Sequence, residues 1–223
     1  MKNVFRIGVF LFLLGSLASC KGDKGAKAEV AAKGEVTAAV GKNYTVDNTV
    51  SKVMWEGSKP AGSHNGTVNV NGGTVTVAGG KVTGGTFTLD MNSISCLDLE
   101  GGKKDYLESH LKGLGDDNAD DFFNVKEYPT AKFEITKMTG LANDAEGNFL
   151  VYGNLTLKDV TKQIGFKANV DVAGETVKVT SQKFNIDRTE WGIKYNSGKF
   201  FDDLKDKAIN DDMALQVNLV AKA

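Results

Sequence analysis

The chain has 223 residues, a formal net charge of −1 and a hydrophobic content of 41%. This near-neutral charge argues against a nucleic-acid-binding protein, because a phosphate-binding surface needs an excess of Lys and Arg. Basic and acidic residues are also interspersed, so no polybasic run indicates peripheral binding to anionic membranes.

The N-terminus, residues 1–19, is predicted to be a secretory signal peptide. A charged start precedes an apolar stretch over residues 7–17, which is too short to span a bilayer as a helix. The tetrapeptide Leu17–Cys20 resembles the bacterial lipobox, in which the Cys becomes the lipidated first residue of the mature protein. We therefore expect an exported lipoprotein, anchored to the bacterial envelope and its membrane through acyl chains on Cys20. A general secretory signal with an incidental Cys20 is the alternative.

Residues 20–42 are predicted to be the lipidated Cys and a flexible tether. This segment is rich in Lys, Ala, Gly and Glu and has no aromatic residue, so it offers little apolar surface to bury. Lys21 stands directly after the lipobox, at the position where an acidic residue would act as a retention signal. By resemblance to proteobacterial sorting rules, the lysine favours the outer membrane. The sequence does not indicate which face of that membrane carries the protein. Cys96 is the only other cysteine, so no disulfide is predicted, and we expect a buried small hydrophobic residue.

Residues 43–223 are predicted to form one all-β domain of short strands separated by glycine-rich turns. Asn71-Gly72-Gly73 and Ala78-Gly79-Gly80-Lys81 are predicted hairpin turns, since the favoured two-residue turn needs positive φ at both central positions. One connection, Lys103–Gly113, has apolar residues at helical spacing and is predicted to be a short amphipathic helix. The acidic run Asp116–Asp121 lacks the spacing of a calcium loop and is interpreted as a solvated loop.

The segment Phe122–Ile135 joins this helical connection to the sheet. Two adjacent aromatic residues are followed by an alternating strand in which Ala131, Phe133 and Ile135 share one face. Such a segment is either ordinary hydrophobic core or an apolar wall of a ligand cavity at the rim of a barrel.

The C-terminal half continues as a meander of alternating strands. After Val177 and Val179 the apolar residues change phase at Phe184 and Ile186, which predicts a bulge near Ser181–Lys183. About eight to ten strands are expected in all, which is the pattern of a sandwich or an up-and-down barrel. Periodicity alone does not separate the two.

Six stretches stand in the order seen in the YceI-like family, which the chain resembles over Asn43–Ala223: HNGTV, GGTFTLDMNSI, SHL, FFNVKEYPTAKFEI, GNLTLKDVTKQIGF and FNIDRTEWGIKY. The resemblance implies an all-β fold, a lipocalin-like eight-stranded antiparallel barrel with a short helix in one connection. It also implies that an elongated apolar interior binds or carries a polyisoprenoid or similar lipid, without catalysis and without a cofactor. A homodimer is left open.

The wall of that interior is expected to include large apolar residues of the inward faces: Phe87, Leu89, Met91, Phe122, Phe123, Phe133, Leu155, Phe166, Phe184 and Ile186. A fully packed core is the alternative for this set. Arg188 and His64 are candidates for contacts with a lipid head group, with a structural ion pair as the alternative for Arg188.

Catalytic and metal sites are poorly supported. The only histidines, His64 and His110, are far apart in sequence, and neither a His-x-x-x-His pair nor paired cysteines occur. No catalytic residue and no metal ligand is therefore assigned. A structural or stress-response envelope module with a packed core, and an isoprenoid-modifying enzyme, remain as the other two functional classes.

Overall fold

Twelve β-strands and one α-helix make up the part of the chain that the computed structural model describes, residues 25–115 and 117–223. The predicted signal peptide and Cys20 lie outside these residues. The strands and the helix run as follows: β1 (Ala26–Lys27), β2 (Glu29–Ala32), β3 (Lys42–Val46), β4 (Lys52–Lys59), β5 (Gly62–Ala78), β6 (Lys81–Cys96), α1 (Gly101–Lys112), β7 (Thr130–Gly140), β8 (Phe149–Leu157), β9 (Val160–Ala173), β10 (Thr176–Ser181), β11 (Phe184–Asp187) and β12 (Asp212–Lys222).

Eight of these strands close into a barrel. From β4 to β10, each strand is hydrogen-bonded to the one that follows it in sequence. Strand β12 then pairs with β10 on one edge and with β4 on the other, which closes the ring, and all of these pairs are antiparallel. The predicted eight-stranded antiparallel barrel with one helix is thereby confirmed. Because side chains alternate along a strand, every second residue points into the barrel, where the apolar core lies.

Strand β12 has two partners on each of its edges. On one edge, the pairing with β10 ends at Thr180↔Asn218 and the pairing with β11 begins at Phe184↔Leu215. Between these two pairs there are three steps along β12 but four along the chain from β10 to β11. This offset is the predicted bulge near Ser181–Lys183. The Ser181 hydroxyl fills the irregularity by accepting a hydrogen bond from the backbone N–H of Val217 at 2.8 Å.

The predicted hairpin turn at Asn71-Gly72-Gly73 is wrong. The chain passes through this segment as part of the single strand β5, with a register shift against β6 between Val70 and Gly72. The physical reason is a close approach of the two strands: a Cβ on Gly73 would lie 2.4 Å from the carbonyl oxygen of Thr86. The glycines therefore provide a bulge within a strand, which a pattern of turn residues does not distinguish from a hairpin.

Residues 26–32 complete the barrel wall where β9 and β11 do not pair with each other. Strand β1 pairs in parallel with β11, and β2 pairs antiparallel with residues 162–165 of β9. Gly34 then exchanges two hydrogen bonds, of 2.8 and 2.9 Å, with the side chain of Asn154. This pairing differs from the flexible tether predicted over residues 20–42, because open strand edges hold a segment through its backbone groups whatever its apolar content.

Helix α1 covers one end of the barrel and ends at Gly113, whose φ of 68° is the left-handed conformation that terminates helices. Glu108 fixes the helix to β6 by accepting hydrogen bonds from the backbone N–H of Cys96 at 2.8 Å and the hydroxyl of Ser95 at 3.1 Å. No helix within the described ranges is long and apolar enough to cross a membrane.

We expect that a chain starting at Glu35 is less stable than one starting at Gly25, because the shorter chain leaves the edges of β9 and β11 unpaired. Thermal unfolding followed by circular dichroism should show a lower Tm. Amide hydrogen exchange should rise at residues 162–165 and 184–187, while exchange in β7 stays as it was. Equal exchange at both edges in the two chains would contradict a structural role for residues 25–34.

Candidate functional site

The barrel encloses two apolar cavities. The first, which we call the sheet cavity, has a volume of about 90 Å³ and is lined only by strand residues, all of them aliphatic or aromatic. The second, the helix-side cavity, has a volume of about 110 Å³ and includes Leu111 of α1 in its wall. Each cavity is smaller than the pockets of about 300–1,000 Å³ that hold drug-sized ligands, but both share the predominantly apolar lining of such pockets.

Four phenylalanine rings follow one another around the sheet cavity. The rings of Phe87 and Phe133 have centroids 6.4 Å apart, those of Phe133 and Phe166 are 5.7 Å apart, and Phe166 stacks on Phe184 at 4.4 Å with an angle of 5° between the rings. Gly153 makes room for this row, since a Cβ there would lie 2.2 Å from the Phe133 ring. The wall therefore has a row of aromatic rings among side chains that are all apolar.

The helix-side cavity is closed by the chain that follows α1. Phe122 and Phe123 lie in its wall, and the backbone N–H of Phe123 donates to the carbonyl of Leu111 at 3.1 Å. The ring of His110 packs edge-on against Phe122 at 5.2 Å, while its Nε2 lies 2.8 Å from Asp121 Oδ2. Phe122–Ile135 thus contributes to both cavities, since Phe133 and Ile135 line the sheet cavity.

A ring of four side chains belongs to both walls. Val53, Leu89, Leu155 and Leu215 line the sheet cavity and the helix-side cavity alike. We call these four residues the partition, because their side chains line both cavities. Leucine side chains reach other rotamers by rotation about their own bonds, which requires no change in backbone pairing.

Nine of the ten predicted wall residues line a cavity, and Ile186 does not. The sheet cavity has Phe87, Phe133, Phe166 and Phe184, the helix-side cavity has Met91, Phe122 and Phe123, and Leu89 and Leu155 belong to both. Ile186 is fully buried within the packed core. Periodicity identifies inward positions, but it does not tell packed from cavity-lining ones.

Sequence reasoning missed most of the aliphatic members of the walls. Most of them are valines and isoleucines at inward positions of the same strands, among them Val70, Val75, Ile135, Val151, Ile164 and Val170. The alternation that identified the aromatic residues could have found these as well. Trp55 of β4 also lies in the wall of the helix-side cavity.

Arg188 lines the helix-side cavity, but its guanidinium is held by the protein. The side chain is 3% exposed and donates to the carbonyls of Asn210, Ile193 and Ile209 at 3.1, 2.9 and 3.1 Å. Asp211 adds an ion pair at 3.5 Å, and burial places the pKa of Arg188 below its usual value. This arrangement corresponds to the structural alternative for Arg188, because few of its donors are left for a ligand.

His64 lines neither apolar cavity. It lies on β5, where its Nδ1 is 2.8 Å from Asp98 Oδ2. Asp98 also accepts hydrogen bonds from the backbone N–H of Asn65 at 2.9 Å and from the Cys96 thiol at 3.2 Å. The bond from Asn65, with that from His64, lowers the pKa of Asp98 to about 2. Cys96 is buried as expected, and burial raises the pKa of its thiol.

Among residues 25–115 and 117–223, no group of three His, Cys, Asp or Glu side chains is arranged to hold a metal ion. The described walls of the two cavities contain neither a nucleophile next to a base nor a pair of facing carboxylates. The arrangement offers shape and apolar surface as its means of recognition.

Comparison with known proteins places the barrel in a family. The YceI-like domain matches residues 44–221. The structure of BcnA from Burkholderia cenocepacia is similar with a TM-score of 0.60 and 22% identity, over 79% of this chain and 99% of that one. A polyisoprenoid-binding domain from Saccharophagus degradans, implicated in plant cell wall breakdown, has a TM-score of 0.58 and 18% identity, over 81% of this chain and 98% of that one. No curated protein sequence matches the chain.

Replacement of Asp98 by Asn is expected to destabilise the barrel at neutral pH and to have no such effect near pH 2. The carboxylate is ionised more easily in the folded chain, with a pKa of about 2 against the ordinary 3.8, so its stabilisation is present above pH 4 and is lost as the pH falls towards 2. Solvent screening of this partly exposed group limits the difference to about 1 kcal/mol. Urea unfolding from pH 7 to pH 2 measures it.

The exposed Asp206→Asn variant serves as the control for loss of one surface charge. A stability difference between wild type and Asp98→Asn that stays constant from pH 7 to pH 2 would show that the Asp98 carboxylate is not the titrating group.

Proposed function

Because the chain belongs to the YceI-like family, we propose that it binds a polyisoprenoid or similar long-chain lipid inside the barrel, as a carrier or a sequestering protein and not as a catalyst. The observation that carries this proposal is the pair of apolar cavities that meet at the partition of Val53, Leu89, Leu155 and Leu215. The name of the Saccharophagus degradans domain, a polyisoprenoid-binding domain, supports the same ligand class.

Binding from water would be driven by burial of the chain, since each CH₂ group removed from water contributes about 0.8 kcal/mol. A lipid that leaves a bilayer gains almost nothing in this way, because it moves from one apolar medium to another. Selectivity for such a ligand must therefore come from the length and width of the space. An eight-stranded barrel is just wide enough for one slender molecule.

The partition has to open for a long chain to enter. An apolar cavity of roughly 150 Å³ holds one benzene-sized molecule, and each of the two cavities is smaller than that. Joined, the two chambers would have about 200 Å³ (90 plus 110), so a chain of several isoprene units fits only if the leucines of the partition turn aside and the surrounding walls also move apart. The proposal therefore assigns the partition the role of a barrier that the ligand displaces.

Two other functions make different predictions. A structural envelope module with a packed core would take up no lipid, and the two cavities argue against a fully packed core. An isoprenoid-modifying enzyme would convert its ligand, whereas the described cavity walls lack an acid, base or nucleophile free of protein partners. Lipid extracted after incubation with purified protein separates the three, since a carrier returns its ligand chemically unchanged.

We also propose that the protein is exported and held to the bacterial envelope by acyl chains on Cys20, with the outer membrane as the favoured site. The lipobox resemblance at Leu17–Cys20 supports this anchor. Since Ala26 pairs with Phe184, covalent geometry limits the distance from Cys20 to the barrel wall to about 20 Å. The barrel would then remain close to the membrane surface.

Metabolic labelling with an alkyne fatty acid tests the anchor. We expect labelled protein in the membrane fraction for the wild type and unlabelled protein for Cys20→Ser, because the thiol is the acylated group. Equal labelling of both chains, or no labelling of the wild type, would contradict the anchor and leave the lipid-binding proposal untouched.

Replacement of Val53 by Phe should reduce lipid uptake at least tenfold, because the larger ring fills the partition that both cavities share. Native mass spectrometry of the domain, purified without detergent and incubated with a C45 polyprenol, gives the bound fraction. The control is Val160→Phe, the same change at an exposed position of β9. Uptake that is equal in the two variants, or absent in the wild type, would contradict the proposed function.

A further inference from the structure

The two tryptophans differ in what their indole N–H groups bind. Trp191 is 1% exposed, and its Nε1 donates to the carbonyl oxygen of Leu155 at 3.1 Å. The Nε1 of Trp55 is also buried, yet no acceptor lies within hydrogen-bonding distance of it among the described residues 25–115 and 117–223. An unpaired buried donor costs stability, and for this reason nearly all such groups in folded proteins have a partner.

Trp55 is positioned by the sheet and lies in the wall of the helix-side cavity. It sits on β4 opposite Gly66 of β5, where its ring atoms would lie only 2.5 and 2.6 Å from an added Cβ. A larger residue than glycine at position 66 would displace the indole. The indole ring therefore packs closely over the glycine. This close packing argues that the unpaired donor is a feature of the site and not a consequence of loose packing.

The other polar residues of that wall are already partnered. Arg188 donates to three carbonyls, Asn210 donates to the Ser58 hydroxyl at 2.8 Å, and Asp212 forms an ion pair with Lys27 at 3.7 Å. Among the described polar side chains of this wall, Trp55 is thus the one whose donor has no partner within the protein. The sheet cavity, by contrast, is lined by apolar side chains alone.

We propose that the helix-side cavity holds the oxygen-bearing end of the lipid, with Trp55 Nε1–H donating a hydrogen bond to an uncharged acceptor such as an alcohol, ether or carbonyl oxygen. This inference rests on the proposed function and adds the direction in which the ligand lies and the class of its head. The hydrocarbon end extends past the partition into the sheet cavity, against the row of phenylalanine rings.

An uncharged head follows from the donors available. A phosphate buried in this cavity would need cations or several donors, because an unpaired charge is far more costly to bury than a neutral oxygen. The one cation in the wall, Arg188, is committed to carbonyls and to Asp211. A single indole N–H matches a single neutral acceptor.

The test compares three C20 isoprenoids of equal length on the full mature domain: geranylgeraniol, its phosphate monoester, and the corresponding hydrocarbon without oxygen. With ¹⁵N-labelled tryptophan, the protein gives one indole N–H signal for each of Trp55 and Trp191. Geranylgeraniol should move the Trp55 signal downfield, as a new hydrogen bond does, while the hydrocarbon should not. The Trp191 signal, whose proton is already bonded to Leu155, should stay close to its place with either ligand.

Affinity provides the second readout. Trp55→Phe removes the donor and keeps an aromatic ring, so binding of geranylgeraniol should weaken about tenfold, which is the effect of one lost hydrogen bond to a buried group. Binding of the hydrocarbon should change by less than twofold. Trp191→Phe is the matched control and should leave the preference for the alcohol over the hydrocarbon unchanged, because Trp191 lines neither cavity.

Three outcomes would overturn the inference. One is a Trp55 signal that responds equally to alcohol and hydrocarbon, which is measured on wild-type protein and does not depend on any variant folding. Another is equal affinity of wild type and Trp55→Phe for geranylgeraniol. The third is tighter binding of the phosphate than of the alcohol. Failure of all three ligands to bind would instead reject the proposed function on which the inference rests.

Discussion

Closure of the sheet through β12 is the constraint on which the rest of the structure depends. This C-terminal strand pairs with β10 and β11 along one edge and with β4 and β3 along the other. Without it, two long strand edges would present unpaired backbone groups, and the interior would be open. With it, the barrel has eight strands, and that number sets an interior only wide enough for side chains and one slender ligand. The two cavities are the space that the side chains leave.

The change from β10 to β11 along β12 has a consequence for the N-terminal segment. Because β11 is shifted by one residue and lies away from β9, the wall has a gap beside residues 162–165. Strands β1 and β2 fill it, and Ala28 is buried in the core as a result. A segment whose composition is that of a linker is thus part of the barrel. Its proximity to the proposed acylation site at Cys20 would couple the wall of the barrel to the membrane.

The charged groups near the helix-side cavity are bound by other groups of the protein. The buried guanidinium of Arg188 ties together the carbonyls of Ile193, Ile209 and Asn210, and so fixes the loops at the helix-side end of the barrel. Nearby, burial opposes the charge on Asp187, but hydrogen bonds from Lys199 and Thr189 outweigh it and hold the pKa of Asp187 below its ordinary value. The ionic groups are therefore used within the protein, and in the proposed complex recognition depends on cavity shape and one indole donor.

The sequence by itself determined most of the strand pattern, the helix, the bulge near Ser181–Lys183 and part of the cavity wall, because alternation along a strand follows directly from its geometry. It did not separate a turn from a bulge at Gly72 and Gly73, since both use the same residue types. Only the tertiary structure decided that residues 26–32 belong to the wall, that Ile186 is packed while Phe184 faces a cavity, and that Trp55 lacks an acceptor. Each of these depends on contacts between distant strands, where closure of the barrel and not local preference determines which groups meet.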